Sequence, residues 1–165
     1  MDTPVPTRLM KLPRWRQNLA EYLLGVQRRN ARGDLTFDWD PSNPRAMNCL
    51  QFGSGAVLAQ TGRDFYYEMA AGDKYKGPAS ALEVLHQKGY TSLDHLMGSL
   101  FVSVPVMRTQ YGDLLIIPAE DVKIGPLAGA LGVCDPPYFW ILSSSLGLSK
   151  GTIAAVNQTA KAYRV

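Results

Sequence analysis

Apolar residues recur at helical spacing through most of the first hundred positions. Between Trp15 and Val26 they follow one another three or four positions apart, with arginine and glutamine on the opposite side, as in an amphipathic helix. Glycine stands where each such pattern stops, at Gly33, Gly62 and Gly89, and glycine commonly ends helices because it adopts left-handed backbone at little cost. The pattern predicts four helices, over about residues 13–32, 48–60, 78–88 and 92–100.

After residue 110 the pattern changes to short apolar runs that are typical of strands. The runs begin at Asp113, Gly129 and Tyr138, and the last two are joined around Pro136-Pro137. The earlier stretch 35–45 contains prolines and aromatic residues and is predicted to be a loop. Helices first and strands second is the order of an α+β domain. We therefore predict an α+β fold, with N-terminal helices packed on a small antiparallel sheet and strands over 113–117, 129–134, 138–143 and 162–165.

Length and charge limit the classes of protein that fit. The 165 residues suit one domain, 1–165, in which residues 1–12 form an extended lead. No run of apolar residues is long enough for a membrane-spanning helix, and no signal-peptide run precedes Trp15, so we expect folding in a cytoplasm. The net charge is +3, and residues 1–32 hold seven basic and two acidic residues. This basic helix suits an acidic partner or plain solvation, whereas nucleic acid is not expected because no aromatic residues alternate with the basic ones.

The candidate catalytic residues are cysteine and histidine, which together could hydrolyse an amide bond as nucleophile and base. Its two cysteines, Cys49 and Cys134, stand far apart, so we expect free thiols, no metal site and no other cofactor. Cys49 falls at the predicted start of a helix, where unpaired N–H groups and the helix dipole lower the pKa of a thiol. The alternative is that Cys49 is a small buried hydrophobic residue. His86 and His95 both lie on helices that precede the strands, His86 at the edge of an apolar face and His95 towards solvent.

Three short motifs follow one another in an order that resembles a known fold. Asn48-Cys49 opens a helix, Gly112-Asp113 leads into an apolar strand, and Ala130-Leu-Gly-Val forms the next strand. The order is similar to that of NlpC-type, papain-like cell-wall peptidases, where Asp-Cys opens the helix and a His-Val-Gly-Ile-like strand brings the histidine. The resemblance covers residues 12–165 and implies a papain-like fold with a thiolate nucleophile at position 49 and a histidine base at position 130. Gly112-Asp113 is expected to be a turn without a catalytic role.

The chain resembles more closely still a family of small proteins encoded in phage and prophage tail gene clusters. In that family a Trp-containing helix, an aromatic loop and a Cys-bearing helix come first, and the chain ends in Trp/Tyr-Arg-Val. The resemblance implies that the protein belongs to the virion, in the phage tail, with other tail-tip or hub proteins as partners. The matching features here are Trp15, Phe37 and Trp39, Cys49, residues 81–90, Gly112-Asp113 and the ending Tyr163-Arg164-Val165.

Two departures from the peptidase pattern put catalysis in doubt. Ala130 stands at the histidine position and accepts no proton, and Asn48 replaces the aspartate before the cysteine. A base is therefore missing unless His86 or His95 serves Cys49. We expect a structural tail-tip or baseplate protein (a minor tail protein) with a degenerate NlpC-like fold. The alternative is a cysteine peptidase or amidase that cuts peptidoglycan stem peptides during genome delivery.

Two further expectations rest on residue types alone. The basic first helix by itself would suit a third hypothesis, a small nucleic-acid-binding or chaperone-type assembly factor. The chain also holds more aromatic residues than one core readily takes, and aromatic residues are enriched at protein interfaces. The alternative for the aromatic residues on strands is that they belong to the core. The residues assigned to an interface are Trp15, Phe37, Trp39, Tyr138, Phe139 and Trp140.

Overall fold

A six-stranded antiparallel sheet lies at the centre of the structure. The computed structural model describes residues 9–40, 42–70, 77–118, 129–144 and 147–165. Two short strands, Thr36–Phe37 (β1) and Ala46–Met47 (β2), form a separate parallel pair. The central sheet is formed by Val102–Val104 (β3), Leu114–Ile117 (β4), Ala130–Asp135 (β5), Tyr138–Ser143 (β6), Gly147–Thr152 (β7) and Lys161–Arg164 (β8). Its strands run in the order β3-β8-β4-β5-β6-β7, and each neighbouring pair is antiparallel.

The helices account for most of the first hundred residues, as the apolar spacing predicts. They begin and end close to the predicted positions, and the predicted α+β class is confirmed. Gly33, Gly62 and Gly89 all have positive φ angles, in agreement with their assignment as helix ends. The helices are Trp15–Ala31 (α1), Cys49–Thr61 (α2), Phe65–Ala70 (α3), Pro78–Gln87 (α4), Leu93–Leu100 (α5) and Ile153–Val156 (α6), with a 3-10 helix at Val106–Arg108.

Each face of the sheet has its own apolar core. Because side chains alternate along a strand, Leu114 contributes to one face and Leu115 to the other. Residues of α1 to α5 cover the first face, where Leu131 and Val133 are fully buried. The second face is smaller and is covered by Val106 and by Ile153 of α6. Among the described residues, Phe139 is the aromatic residue of the smaller core.

Several elements differ from the predicted ones. Residues 65–70 form a helix where no regular structure is predicted, and β3, β7 and α6 are also additional. Asp64 directly precedes α3, and its carboxylate accepts hydrogen bonds from the Tyr67 N–H at 2.9 Å and from the Ser54 hydroxyl at 2.8 Å. The predicted lead 1–12 lies largely outside the described residues. Its last residue, Leu12, donates its backbone N–H to the Gln60 carbonyl at 2.7 Å.

Helix α2 packs closely on the sheet because its middle consists of small residues. A Cβ atom on Gly53 would overlap the Leu131 side chain, and one on Gly55 would overlap the Tyr22 ring. The Tyr22 hydroxyl donates to the Phe52 carbonyl at 2.8 Å, which ties α1 to α2. Glycine costs helix stability, and the close approach of strand and helix explains its presence here. The small residues therefore allow α2 to lie in close contact with β5.

Candidate functional site

The start of α2 lies against the start of β5, and this contact defines the candidate site. Cys49 is the first residue of α2, and the backbone N–H of Leu131 lies within hydrogen-bonding reach of its thiol. Ala130, the residue before Leu131, opens β5. The fold therefore brings Cys49 to the residue that follows Ala130, although positions 49 and 130 lie 81 apart in the chain. The resemblance predicts that these two positions lie close together.

The Cys49 thiol itself is buried and protonated. Only 4% of Cys49 is exposed, and burial raises the pKa of its thiol. The backbone N–H groups of Leu131, Cys49 and Leu50 oppose this rise without overcoming it. The prediction of a lowered pKa at the helix start is therefore wrong, because desolvation outweighs the local N–H groups. The alternative interpretation, a small buried residue, fits the structure.

Neither histidine accompanies this thiol. His86 lies exposed in the last turn of α4, and His95 lies exposed on α5. The Nδ1 atom of His95 accepts a hydrogen bond from the Thr91 N–H at 3.1 Å, and its ring meets the edge of Tyr90. Within the described parts of the chain, neither imidazole makes a hydrogen bond to Cys49 or affects its pKa. Ala130 likewise supplies only a methyl group, and it is buried in the core.

Asn48, which replaces the aspartate of the peptidase pattern, has a structural role. Its side-chain oxygen accepts a hydrogen bond from the Gln51 N–H at 2.9 Å, and the Gln51 side chain accepts one from the Asn48 N–H at 2.9 Å. This reciprocal pair is a capping box, which satisfies two backbone donors at the helix start. Asn48 is fully buried, and its capping box stabilises the start of the helix that carries Cys49.

A cavity of about 170 Å³ lies close to the start of β5, between Gly129 and α5. Its polar groups already pair with one another. Asp94 accepts hydrogen bonds from Lys161 Nζ at 2.7 Å and from the Tyr163 hydroxyl. Burial alone would raise the pKa of Asp94, but these two donors outweigh it and hold the pKa below its usual value. The cavity is smaller than typical ligand pockets, and its carboxylate is committed to a salt bridge.

A buried ion pair joins the turn before β4 to the last strand. Asp113 is 1% exposed, and its carboxylate accepts from Arg164 Nε at 2.8 Å and from the Gln110 N–H at 2.8 Å. Gly112 has a φ of +87°, and a Cβ there would overlap the Gln60 side chain, whose Nε2 donates to the Gly112 carbonyl at 2.9 Å. The Gly-Asp and Arg-Val motifs thus form one structural unit. From the sequence, Asp113 is assigned to a turn only. The available signal for an ion pair was that one motif carries an acidic residue, Asp113, and the other a basic residue, Arg164.

The second cysteine lies on the opposite face of the sheet. Cys134 is fully buried in the smaller core, and burial raises the pKa of its thiol to about 12. Both cysteines are free thiols. Within the described parts of the chain, no group of three or more His, Cys, Asp or Glu side chains is placed to hold a metal ion. Among the same residues, no helix is long and apolar enough to cross a membrane.

The aromatic residues assigned to an interface divide between core and surface. Phe139 is buried in the smaller core, so its assignment to an interface is wrong, because alternate side chains of β6 point to opposite faces. Phe37 and Trp39 form an edge-to-face pair, half-buried against the main core. The other three carry cations at their rings, with Lys11 and Arg16 at Trp15, and Lys150 at both Tyr138 and Trp140.

The fold and site together define a class of protein, an α+β domain in which a helix that begins with a buried cysteine packs on an antiparallel sheet. Residues 10–165 match the sequence model of a family described as "Domain of unknown function (DUF6950)", and the chain belongs to that family. No curated protein matches the chain.

Proposed function

We propose that this protein is a structural subunit of a phage tail tip or baseplate, built on a degenerate NlpC-like fold that no longer catalyses hydrolysis. The observation that carries the proposal is the state of Cys49. Its thiol is buried, its pKa is raised, and position 130, where the resemblance calls for histidine, holds alanine. The tail location and the tail-tip or hub partners come from the sequence resemblance.

Hydrolysis of an amide by cysteine needs a thiolate and a base that later protonates the leaving amine. A raised thiol pKa keeps Cys49 in the protonated, weakly nucleophilic form at neutral pH. Removal of a general base alone costs about 10²–10⁴-fold in rate. A peptide substrate would also have to reach a side chain that is 4% exposed. The raised thiol pKa, the missing base and the buried side chain all hinder attack of Cys49 on an amide. They support a role in assembly over a role in catalysis.

The surface carries features that suit such a role. Trp15 lies half-buried between the side chains of Lys11 and Arg16, and Tyr138 is exposed beside Lys150. Met107 is exposed near Tyr138, where both residues line a groove of about 480 Å³. Aromatic residues, methionine and arginine are the types enriched in protein interfaces. The proposal therefore assigns these surfaces to contacts with neighbouring tail proteins.

Complementation of a phage that encodes this chain tests the proposal. The gene is deleted and supplied in trans as wild type, as Cys49→Ala, or as Cys134→Ala, which is a matched control because both cysteines are buried. We expect the deletion to lack complete tails in electron micrographs, and both variants to restore infectious titre to within about threefold of wild type. Complete particles whose titre falls a hundredfold with Cys49→Ala, but not with Cys134→Ala, would instead identify Cys49 as a catalytic nucleophile.

A further inference from the structure

A groove along the second half of α1 has the form of a binding surface for an acidic peptide. It has a volume of about 450 Å³ and lies between the helix and Met47 of β2. Its lining combines an apolar floor with guanidinium groups at one end. The lining residues are Glu21, Tyr22, Gly25, Val26, Arg28, Arg29, Arg32 and Met47.

Among the residues that the structure describes, no salt bridge neutralises the three arginines of the groove. Arg28 and Arg32 are exposed and Arg29 is half-buried. Arginine in the last helical turn complements the helix dipole, which explains a basic residue there. Three guanidinium groups around one concave surface also match the carboxylates of a ligand, which they can bind in bidentate fashion.

The helix interior of α1 contains a glycine, Gly25, which lines the groove and which the helix dipole does not explain. Glycine in a helix interior is less stable than alanine. Unlike Gly53 and Gly55, which are needed for close packing, Gly25 has open space at its side-chain position, with no atom of the described residues within 4 Å. The helix thus lacks a side chain at a position that lines the groove, and this leaves room for a group of a bound partner.

The floor beneath this space is fixed. Val26 is buried, and the Tyr22 hydroxyl is held by its hydrogen bond to the Phe52 carbonyl at 2.8 Å. Glu21 lies at the other end of the groove, about 10 Å along the helix axis from Arg28 at 1.5 Å per residue. Its carboxylate accepts a hydrogen bond from Gln17 at 3.0 Å. The groove is therefore polarised, with one acidic end, an apolar middle and a basic end.

We infer that this groove binds an acidic segment of a partner protein, in extended form, with its carboxylates at the Arg28 and Arg32 end and a small apolar side chain over Gly25. The inference rests on the proposed assembly function and names the chemistry of one partner. From Glu21 to Arg32 the helix rises about 16 Å, which matches roughly five residues of extended chain. A peptide is favoured over nucleic acid because Glu21 would repel a continuous phosphate backbone. The apolar floor would also be left unused by phosphates.

Nuclear magnetic resonance titration of the isotope-labelled full chain tests the inference. The probes are a ten-residue peptide of alternating glutamate and alanine, its lysine-alanine counterpart, and a DNA duplex of twenty base pairs. We expect the glutamate peptide to shift amide signals of residues 21–32 and of Met47, and the lysine peptide to leave them unchanged. Shifts spread over all basic residues, no shifts at all, or tighter binding of the duplex at the same residues would each overturn the inference.

Variants sharpen the same test. Arg28→Glu combined with Arg32→Glu should weaken binding of the glutamate peptide tenfold or more, and Gly25→Leu should weaken it by filling the groove. Lys88→Glu combined with Arg108→Glu makes the same charge change at exposed residues outside the groove, and we expect affinity within about twofold of wild type. Equal losses in both double variants would reduce the effect to general charge attraction and contradict the inference. Because no step measures hydrolysis, failure here leaves the non-catalytic role of Cys49 to its own test.

Discussion

Removal of one partner from the buried ion pair between Asp113 and Arg164 should destabilise the fold strongly, and Asp113→Ala tests this. The carboxylate accepts hydrogen bonds from the backbone N–H groups of Gln110 and Val165, at 2.8 and 3.3 Å, and from Arg164 Nε at 2.8 Å. Replacement by alanine leaves all three donors without this acceptor. Among the described residues, Arg164 contacts one other acceptor, the Arg108 carbonyl, at 2.8 Å from Nη2.

The expected magnitude follows from burial. Removal of one member of a buried ion pair costs about 3–5 kcal/mol, because an uncompensated charge stays in the interior. Arg164 is 23% exposed in its side chain, so water partly solvates the orphaned guanidinium, and we take the lower part of that range, about 3–4 kcal/mol. For a chain of this size the loss corresponds to a decrease in Tm of roughly 6–16 °C.

Urea unfolding followed by circular dichroism measures the loss as a change in the midpoint at constant slope. Glu68→Ala is the matched control, since its pair with Arg63 also measures 2.8 Å but is 48% and 39% exposed at the two side chains. Exposed pairs contribute about 0–1 kcal/mol, so the control should unfold close to wild type. If Asp113→Ala lost no more stability than Glu68→Ala, the reasoning from burial would be refuted.

Three further predictions concern single positions. Gly112→Ala should lower the free energy of unfolding in urea by at least about 1 kcal/mol more than Gly33→Ala does. Both glycines have positive φ, but a Cβ atom would overlap a neighbour, Gln60, only at Gly112. Equal losses in the two variants would contradict this clash. The pKa of the Cys134 thiol is raised from 9.0 to about 12, so the unfolded chain ionises first as pH rises. The stability of wild type relative to Cys134→Ala should therefore fall by about 1.4 kcal/mol per pH unit above pH 9, and a difference independent of pH up to 10.5 would be contrary to this. Gly25→Ala should raise Tm by about 2 °C in calorimetry because alanine favours the helix and its side chain meets open space, and a decrease would show that the position is packed.

The parts of the fold that depend on residues adjacent in the sequence could be predicted from the sequence. Asn48 and Gly62 mark the ends of α2 by local hydrogen bonding and backbone preference, and both are found in these roles. Helix α3 was missed although Asp64 offered a capping signal before Phe65. Strand β7 carries few apolar residues, and it forms because it pairs with β6 along its length.

The candidate site shows where sequence reasoning stops. The order of motifs predicts that positions 49 and 130 lie close together, and the structure packs α2 on β5 with Cys49 at the residue after Ala130. The pKa of Cys49 depends on what covers it, and burial by residues distant in the chain reverses the effect of the helix start. Asp113 and Arg164 lie 51 positions apart, so their pairing depends on the order of strands across the sheet. The order of strands across the sheet cannot be determined from the spacing of residues along the chain.

The central claim, that Cys49 is a buried structural thiol and not a nucleophile, is tested most directly by digestion of purified muropeptides. The isolated protein and its Cys49→Ala variant are incubated with the same muropeptides, an active peptidoglycan endopeptidase serves as positive control, and products are identified by mass spectrometry. We predict no cleavage by either form, while the positive control digests the substrate. Cleavage by the wild type that disappears in Cys49→Ala would contradict the account.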